Sequence, residues 1–418
     1  MSNQHQVIPQ PVKRIKEFEK LGYGMFIHWG LFSQLGQGEW VQHHLKKPKA
    51  EYTKLASTFT AEDFDATEIV RIAKNAGMKY ITLTTRHHEG FSLFDTKGLS
   101  DFDAPHSPAQ RDLIAEFVDA CRAAAIVPFF YHTTLDWHQE SFENNFDDYL
   151  DYLNKSVEVL CRNYGKIGGL WFDGNWSKPE ADWKEAELYA TIRKYQPEAI
   201  IINNTGLSHR GEPGNIEIDA VTFERGRPTK MDRRGMRKYL AAEMCQTMNE
   251  HWGVGAEDFC YISPKELIES IADCRKVGAN LLMNVGLTAT GKIPGYERET
   301  LLRVGNWVKN NAKLIYDATP TAITGLGKDF ALELNDKIYL FIYNLTAVGN
   351  EHVTIGGNES GIRTFSNMTE KIAAVRWLDS GELLDFASNS DAGILTIDAT
   401  GYPYGTNLVV RVAEVELK

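Results

Sequence analysis

The sequence predicts an α/β fold: an irregular (β/α)8-like barrel over residues 1–318, followed by a small antiparallel all-β sandwich over residues 319–418. Three observations carry this reading. Eight short apolar segments precede residue 290, helical patterns fall between most of them, and helical periodicity largely disappears after Thr319-Pro320. A chain of 418 residues is long for one domain, which agrees with two.

The strand-like segments are 23–27, 80–84, 127–131, 170–172, 200–203, 220–223, 240–243 and 281–285. Residues 65–76 place Ile69, Ile72, Ala73 and Ala76 on one side of a helix. Residues 111–124, 146–164, 184–195 and 264–277 read the same way, the last with Ser263 as N-cap and Pro264 in the first turn. Residues 204–218 and 225–239 are rich in Gly, Pro, Arg and Asn and read as loops, so the barrel is expected to be irregular. A doubly wound open sheet is the alternative, but no Gly-rich phosphate loop follows the first strand. Residues 296–316 read as one long helix. In the tail, 337–343, 351–355, 371–377, 393–397 and 408–412 are short β-type runs between turn residues.

Composition narrows the function classes. A net charge of −11 offers neither phosphate neutralisation nor polybasic anchoring, so no nucleic-acid or membrane partner is expected. The start, Met1-Ser-Asn-Gln-His-Gln, has no apolar signal core, and no run reaches membrane-spanning length, which gives a cytoplasmic expectation. The five cysteines are scattered, with no CxxC pair to hold zinc or frame disulfides. With 9 Trp, 17 Tyr and 20 Phe, the chain has aromatic rings beyond the needs of a core, and these suit flat sugar faces.

The run Gly168-Gly169-Leu170-Trp171-Phe172-Asp173-Gly174 is an apolar strand that ends in a carboxylate. Asp does not suit a buried strand unless something pairs with it or uses it. The C-terminal ends of parallel strands are where such folds place their chemistry. Other strand ends are also polar: His28-Trp29-Gly30, Arg86-His87-His88-Glu89, Tyr131-His132 leading to Asp136-Trp137-His138, and Glu243. Taken singly, each has a structural explanation, such as a hydrogen-bonded histidine or a capping carboxylate. Five polar strand ends converging on one mouth shift that balance toward a site. HExxH and HxH are both missing, so carboxylate chemistry is favoured over metal catalysis, and no cofactor is expected. Paired carboxylates among hydrogen-bonding His, Tyr and Trp point to glycoside hydrolysis of a small carbohydrate.

These residues resemble the α-L-fucosidases of glycoside hydrolase family 29. The matching motifs are Gly24-Met25-Phe26-Ile27-His28-Trp29-Gly30, Glu39-Trp40, Arg86-His87-His88-Glu89-Gly90-Phe91, Trp171-Phe172-Asp173-Gly174, Glu243-Met244-Cys245 with Trp252-Gly253, and Asn280-Leu281-Leu282-Met283-Asn284-Val285-Gly286. They occur in the family's order over roughly residues 20 to 295. The resemblance implies an exo-acting retaining α-L-fucosidase with Asp173 as nucleophile and a barrel followed by a sandwich. Glu243 matches the general acid/base of one branch of the family. Glu224 ends strand six and competes for that role, and Glu39 competes more weakly. His28, Glu39, Trp40, His87 and His88 match positions that hold the fucose hydroxyls, and Tyr131 and Trp171 match pocket-lining ones. Trp171 or Trp252 would wall the C6 methyl. A fucose-binding protein without catalysis is the alternative from another class. The oligomeric state, a homo-oligomer included, is left open, as is the fucosyl linkage, for which loops 41–57 and 207–235 are the candidate determinants.

Overall fold

The structure is a computed structural model, and it describes residues 7–204, 214–346 and 361–418. The expected run 351–355, the N-terminal hexapeptide and part of the 207–235 loop lie outside them. The chain divides into two compact units: residues up to Ile262 with Ala279–Arg303, and Ser263–Gly278 with Val304–Lys418.

The first unit is a closed parallel barrel of eight strands in sequence order. They are β1 Tyr23–His28, β2 Tyr80–Arg86, β3 Val127–Thr133, β4 Gly169–Asp173, β5 Ile200–Asn204, β6 Ala220–Glu224, β7 Ala241–Gln246 and β8 Asn280–Gly286. Each is nearly buried throughout, which is why each reads as a continuous apolar run rather than an alternating one. Barrel closure is made by β1 pairing with β8, Tyr23 opposite Leu281 through His28 opposite Gly286. One difference from the sequence reading matters for the site. β7 was expected to end at Glu243 but runs three residues further, to Gln246. Glu243 lies opposite Thr222 and Asn280, whereas Glu224 lies opposite Cys245. Glu243 therefore sits one inward-facing position below the mouth.

The helix Ala66–Asn75 starts where Asp65 accepts from the Glu68 N–H, and Leu113–Ala124 where Asp112 accepts from Ala115. Described residues 214–219 and 225–239 hold turns and bends without a helix, the irregularity expected after β5 and β6. The helix Lys13–Glu19 plugs the barrel floor. Phe18 packs its ring 5.9 Å from Tyr80 and 5.8 Å from Phe129, and its carbonyl accepts from Asn280 Nδ2 at 2.7 Å. Phe18 thus covers the N-terminal end of the barrel interior, opposite the C-terminal strand ends.

The second unit is an eight-stranded antiparallel sheet with strand order β13-β16-β11-β10-β9-β12-β15-β14. The strands are β9 Thr319–Gly325, β10 Phe330–Leu334, β11 Lys337–Tyr343, β12 Gly361–Ser366, β13 Ile372–Trp377, β14 Phe386–Asn389, β15 Ile394–Ala399 and β16 Val410–Leu417. Trp377 of β13 and Ile397 of β15 share one core although five strands separate them in the sheet, so the sheet folds over on itself as a sandwich does. The helix Pro264–Lys276, between β7 and β8 in sequence, groups with this unit. It begins with a full capping box between Ser263 and Glu266. The single helix expected over 296–316 is two, Gly295–Asn310 and Ala312–Asp317. Asn311 Nδ2 bonds back to the Trp307 carbonyl at 2.9 Å, the side-chain competition that makes Asn a poor helix-interior residue. No helix among the described residues is long and apolar enough to cross a membrane.

Candidate active site

At the open end of the barrel lies a cleft lined by twelve residues, most of them aromatic or ionisable. Nine of the sequence-selected residues line it: His28, Trp40, His87, His88, Tyr131, Trp171, Asp173, Glu224 and Trp252. Three others line it that sequence reasoning did not select, Phe26, Trp176 and Asn204. Glu39 and Glu243 are not among the lining residues.

Asp173 stands at the end of β4, where Gly174 turns the chain with φ +123°. A Cβ on Gly174 would come within 2.4 Å of the Leu135 backbone nitrogen, so glycine is required twice over. The Asp173 carboxylate accepts from Trp176 Nε1 at 2.8 Å, Tyr131 Oη at 3.1 Å and Asn204 Nδ2 at 3.3 Å. Burial pushes its pKa up to about 6, and those donors hold it from rising further.

Glu224 ends β6 and faces the same cleft. Asn204 Nδ2 donates to Glu224 Oε2 at 2.7 Å as well as to Asp173. One amide nitrogen therefore touches both carboxylates, so the two touched oxygens lie within two hydrogen-bond lengths of each other. Trp176 was legible in principle, because it follows Asp173 by three residues in a tight turn, whereas Asn204 closes β5 one residue beyond the end read from the sequence.

The structure places Glu243 away from the cleft. Its side chain points into the barrel core, where Tyr80 Oη donates to Oε2 at 2.5 Å and Trp171 Nε1 to Oε1 at 3.0 Å. The residue is 0% exposed, and both its oxygens are committed to donors. Burial raises its pKa to about 7. What Glu243 does is fix the indole of Trp171, whose ring stacks on Tyr131 at 5.7 Å in the cleft wall. Glu39 likewise works from behind. Its Oε2 accepts from the backbone N–H groups of Trp252 and Gly253 at 3.0 and 2.9 Å and so sets the Trp252 turn. Glu89 is buried, and its carboxylate accepts from the Leu31 and Phe32 N–H groups at 2.7 and 3.1 Å and from Tyr52 Oη, holding the turn after β1.

The histidines are neutral acceptors. His28 Nδ1 is 2.7 Å from Asn284 Oδ1, and Asn284 Nδ2 donates to the Trp252 carbonyl, which fixes the amide orientation. His28 must then carry its proton on Nδ1 and leave Nε2 as an acceptor. His88 Nδ1 is 2.7 Å from Thr133 Oγ1, whose own proton goes to the Leu135 carbonyl, so the same tautomer follows. Its Nε2 is 3.6 Å from Asp173 Oδ2. Burial lowers both pKa values to about 3. His87, ring centroid 4.2 Å from His88, has a buried Nδ1 with no partner among the described residues. Acceptors without donors, ringed by Trp171, Trp252 and Phe26, fit a ligand with several hydroxyls and an apolar side.

The chain is similar to known alpha-L-fucosidases. The family model for alpha-L-fucosidase matches residues 6–313. Mouse tissue alpha-L-fucosidase is 27% identical over 72% of this chain and 71% of its own length. Among solved structures, alpha-L-fucosidase isoenzyme 1 from Paenibacillus thiaminolyticus superposes with a TM-score of 0.83 at 30% identity, covering 97% of this chain and 99% of that one. An alpha-L-fucosidase from Lactobacillus casei, solved with its α-L-fucose product, has a TM-score of 0.62 at 27% identity over 72% of this chain and 100% of that one.

Proposed function

The chain belongs to the alpha-L-fucosidase family, and from that premise we propose that it is a retaining exo-α-L-fucosidase with Asp173 as nucleophile and Glu224 as general acid/base. The observation that carries the pairing is Asn204, whose single Nδ2 reaches both carboxylates. A retaining pair is about 5–5.5 Å apart and an inverting pair about 6.5–9.5 Å apart, and two hydrogen bonds from one atom favour the closer spacing. A small cleft over a barrel plugged at its floor favours removal of a terminal sugar.

In the first step Asp173 attacks the anomeric carbon and the bond to the leaving oxygen breaks. Protonated Glu224 gives that oxygen its proton. In the second step Glu224, now a carboxylate, takes a proton from water as the water attacks the same carbon and Asp173 departs. Neutral His28 and His88 accept from the fucose hydroxyls, and the Trp171–Phe26 wall faces the C6 methyl. Proton NMR of the hydrolysis of an aryl α-L-fucoside tests the stereochemistry. The first-formed sugar should be α-L-fucose, which then mutarotates; β-L-fucose appearing first would overturn the retaining mechanism.

A further inference from the structure

The cleft wall continues outward as an aromatic shelf that the fucose site does not use. Trp40 and Trp176 line the cleft and stack on each other at 5.7 Å and 30°. On its outer side Trp40 meets Trp137, 5.2 Å away at 71°. Trp137 is stacked in turn on the exposed His43 at 5.8 Å and 24°. Trp137 is half-buried and held in place by its backbone N–H, which donates to the His88 carbonyl at 2.7 Å.

The indole N–H groups separate these rings from the structural tryptophans. Trp29, Trp171, Trp176, Trp183, Trp307 and Trp377 each donate to a protein acceptor. Of the 9 tryptophans, the three that donate to no described residue are Trp40, Trp252 and Trp137. Two of these line the cleft. The third, Trp137, has the same uncommitted donor but stands outside the cleft. A half-buried indole whose N–H has no acceptor among the described residues suits a pyranose, which offers a C–H face and ring hydroxyls.

The geometry points to Trp137 and His43 as the platform for the leaving-group sugar, the pyranose joined to fucose through the scissile oxygen. This rests on the fucosidase reading, because the shelf gains its meaning from being continuous with the fucose cleft. It makes Trp137 a specificity residue for saccharide leaving groups.

The test compares α-L-fucosyl fluoride, which places nothing on the shelf, with a fucosyl disaccharide. Trp137→Ala and His43→Ala should each lower kcat/KM on the disaccharide by about tenfold, mainly through KM. Activity on the fluoride should stay within about twofold, with the thermal midpoint as a check on folding. Trp137→Phe, which keeps a ring and loses the N–H, should recover part of the loss. Equal losses on both substrates, or no loss on either, would overturn the platform. Failure of the unaltered protein to hydrolyse the fluoride would instead overturn the fucosidase reading, and the platform with it.

Discussion

Glu224 and Glu243 carry the same functional group two residues apart in height on neighbouring strands, and their surroundings give them different work. Glu243 is sealed among donors and Glu224 faces the cleft, so substitutions should separate them. Glu224→Gln removes the transferable proton, and should slow substrates with poor leaving groups by about 10²–10⁴-fold while sparing activated aryl fucosides far more. Glu243→Gln keeps an acceptor for Trp171 Nε1, and should lower both substrate classes by a similar, smaller factor of about ten or less. A leaving-group dependence in Glu243→Gln and none in Glu224→Gln would reverse the assignment. The nucleophile sets the pH response. With the Asp173 pKa near 6, kcat/KM should fall as pH drops below that value, because the attacking carboxylate becomes protonated. Trp176→Phe removes a donor that favours the carboxylate, so the acid limb should move to higher pH. An unmoved limb would mean that another group controls it. His28 and His88, already neutral above about pH 3, are not that group.

At the scale of elements, the site depends on strand ends being held at fixed heights. Asp219, just before β6, is 0% exposed and fixes one such end. It faces Arg14 at 3.0 Å, Arg193 at 2.7 Å and Lys238 at 2.8 Å, and accepts from the Ile201 N–H at 3.1 Å. It thus ties the floor helix, the helix Glu185–Tyr195, the approach to β7 and the start of β5 to one carboxylate. Asp219→Asn leaves three cations facing a neutral group, and should lower the unfolding free energy by about 3 kcal/mol, read from the denaturant midpoint. A change under about 1 kcal/mol would show that the cations are satisfied elsewhere. Element existence was legible because buried parallel strands are unbroken apolar runs. Element ends were not. Ala241–Gln246 continues past Glu243 through Met244 and Cys245, which suit a strand as well as a loop, and that three-residue difference moved a carboxylate from the mouth to the interior. In the sheet unit, Thr319–Gly325 and Phe386–Asn389 escaped notice because Ile323 is the one buried residue in the two strands and their apolar signal is thin.

Over the whole molecule, the barrel joins side chains from Phe26 to Trp252 into one site, a span no local motif reveals. The topology made that convergence legible: polar residues at the ends of parallel strands must meet at one mouth. Which side chains face one another there was not legible, because it depends on register. Asn204 looked like the first residue of a loop, and only pairing β5 with β4, Asn204 opposite Asp173, shows it beside the nucleophile. The account stands on Asp173 forming a bond to the sugar. The most direct measurement is peptide mass spectrometry after reaction with a 2-deoxy-2-fluoro-fucosyl fluoride, which slows breakdown of a covalent intermediate. The account predicts one added 2-fluoro-fucosyl group on the peptide carrying Asp173. An adduct on the peptide carrying Glu224 or Glu243, or turnover with no adduct on Asp173, would contradict it.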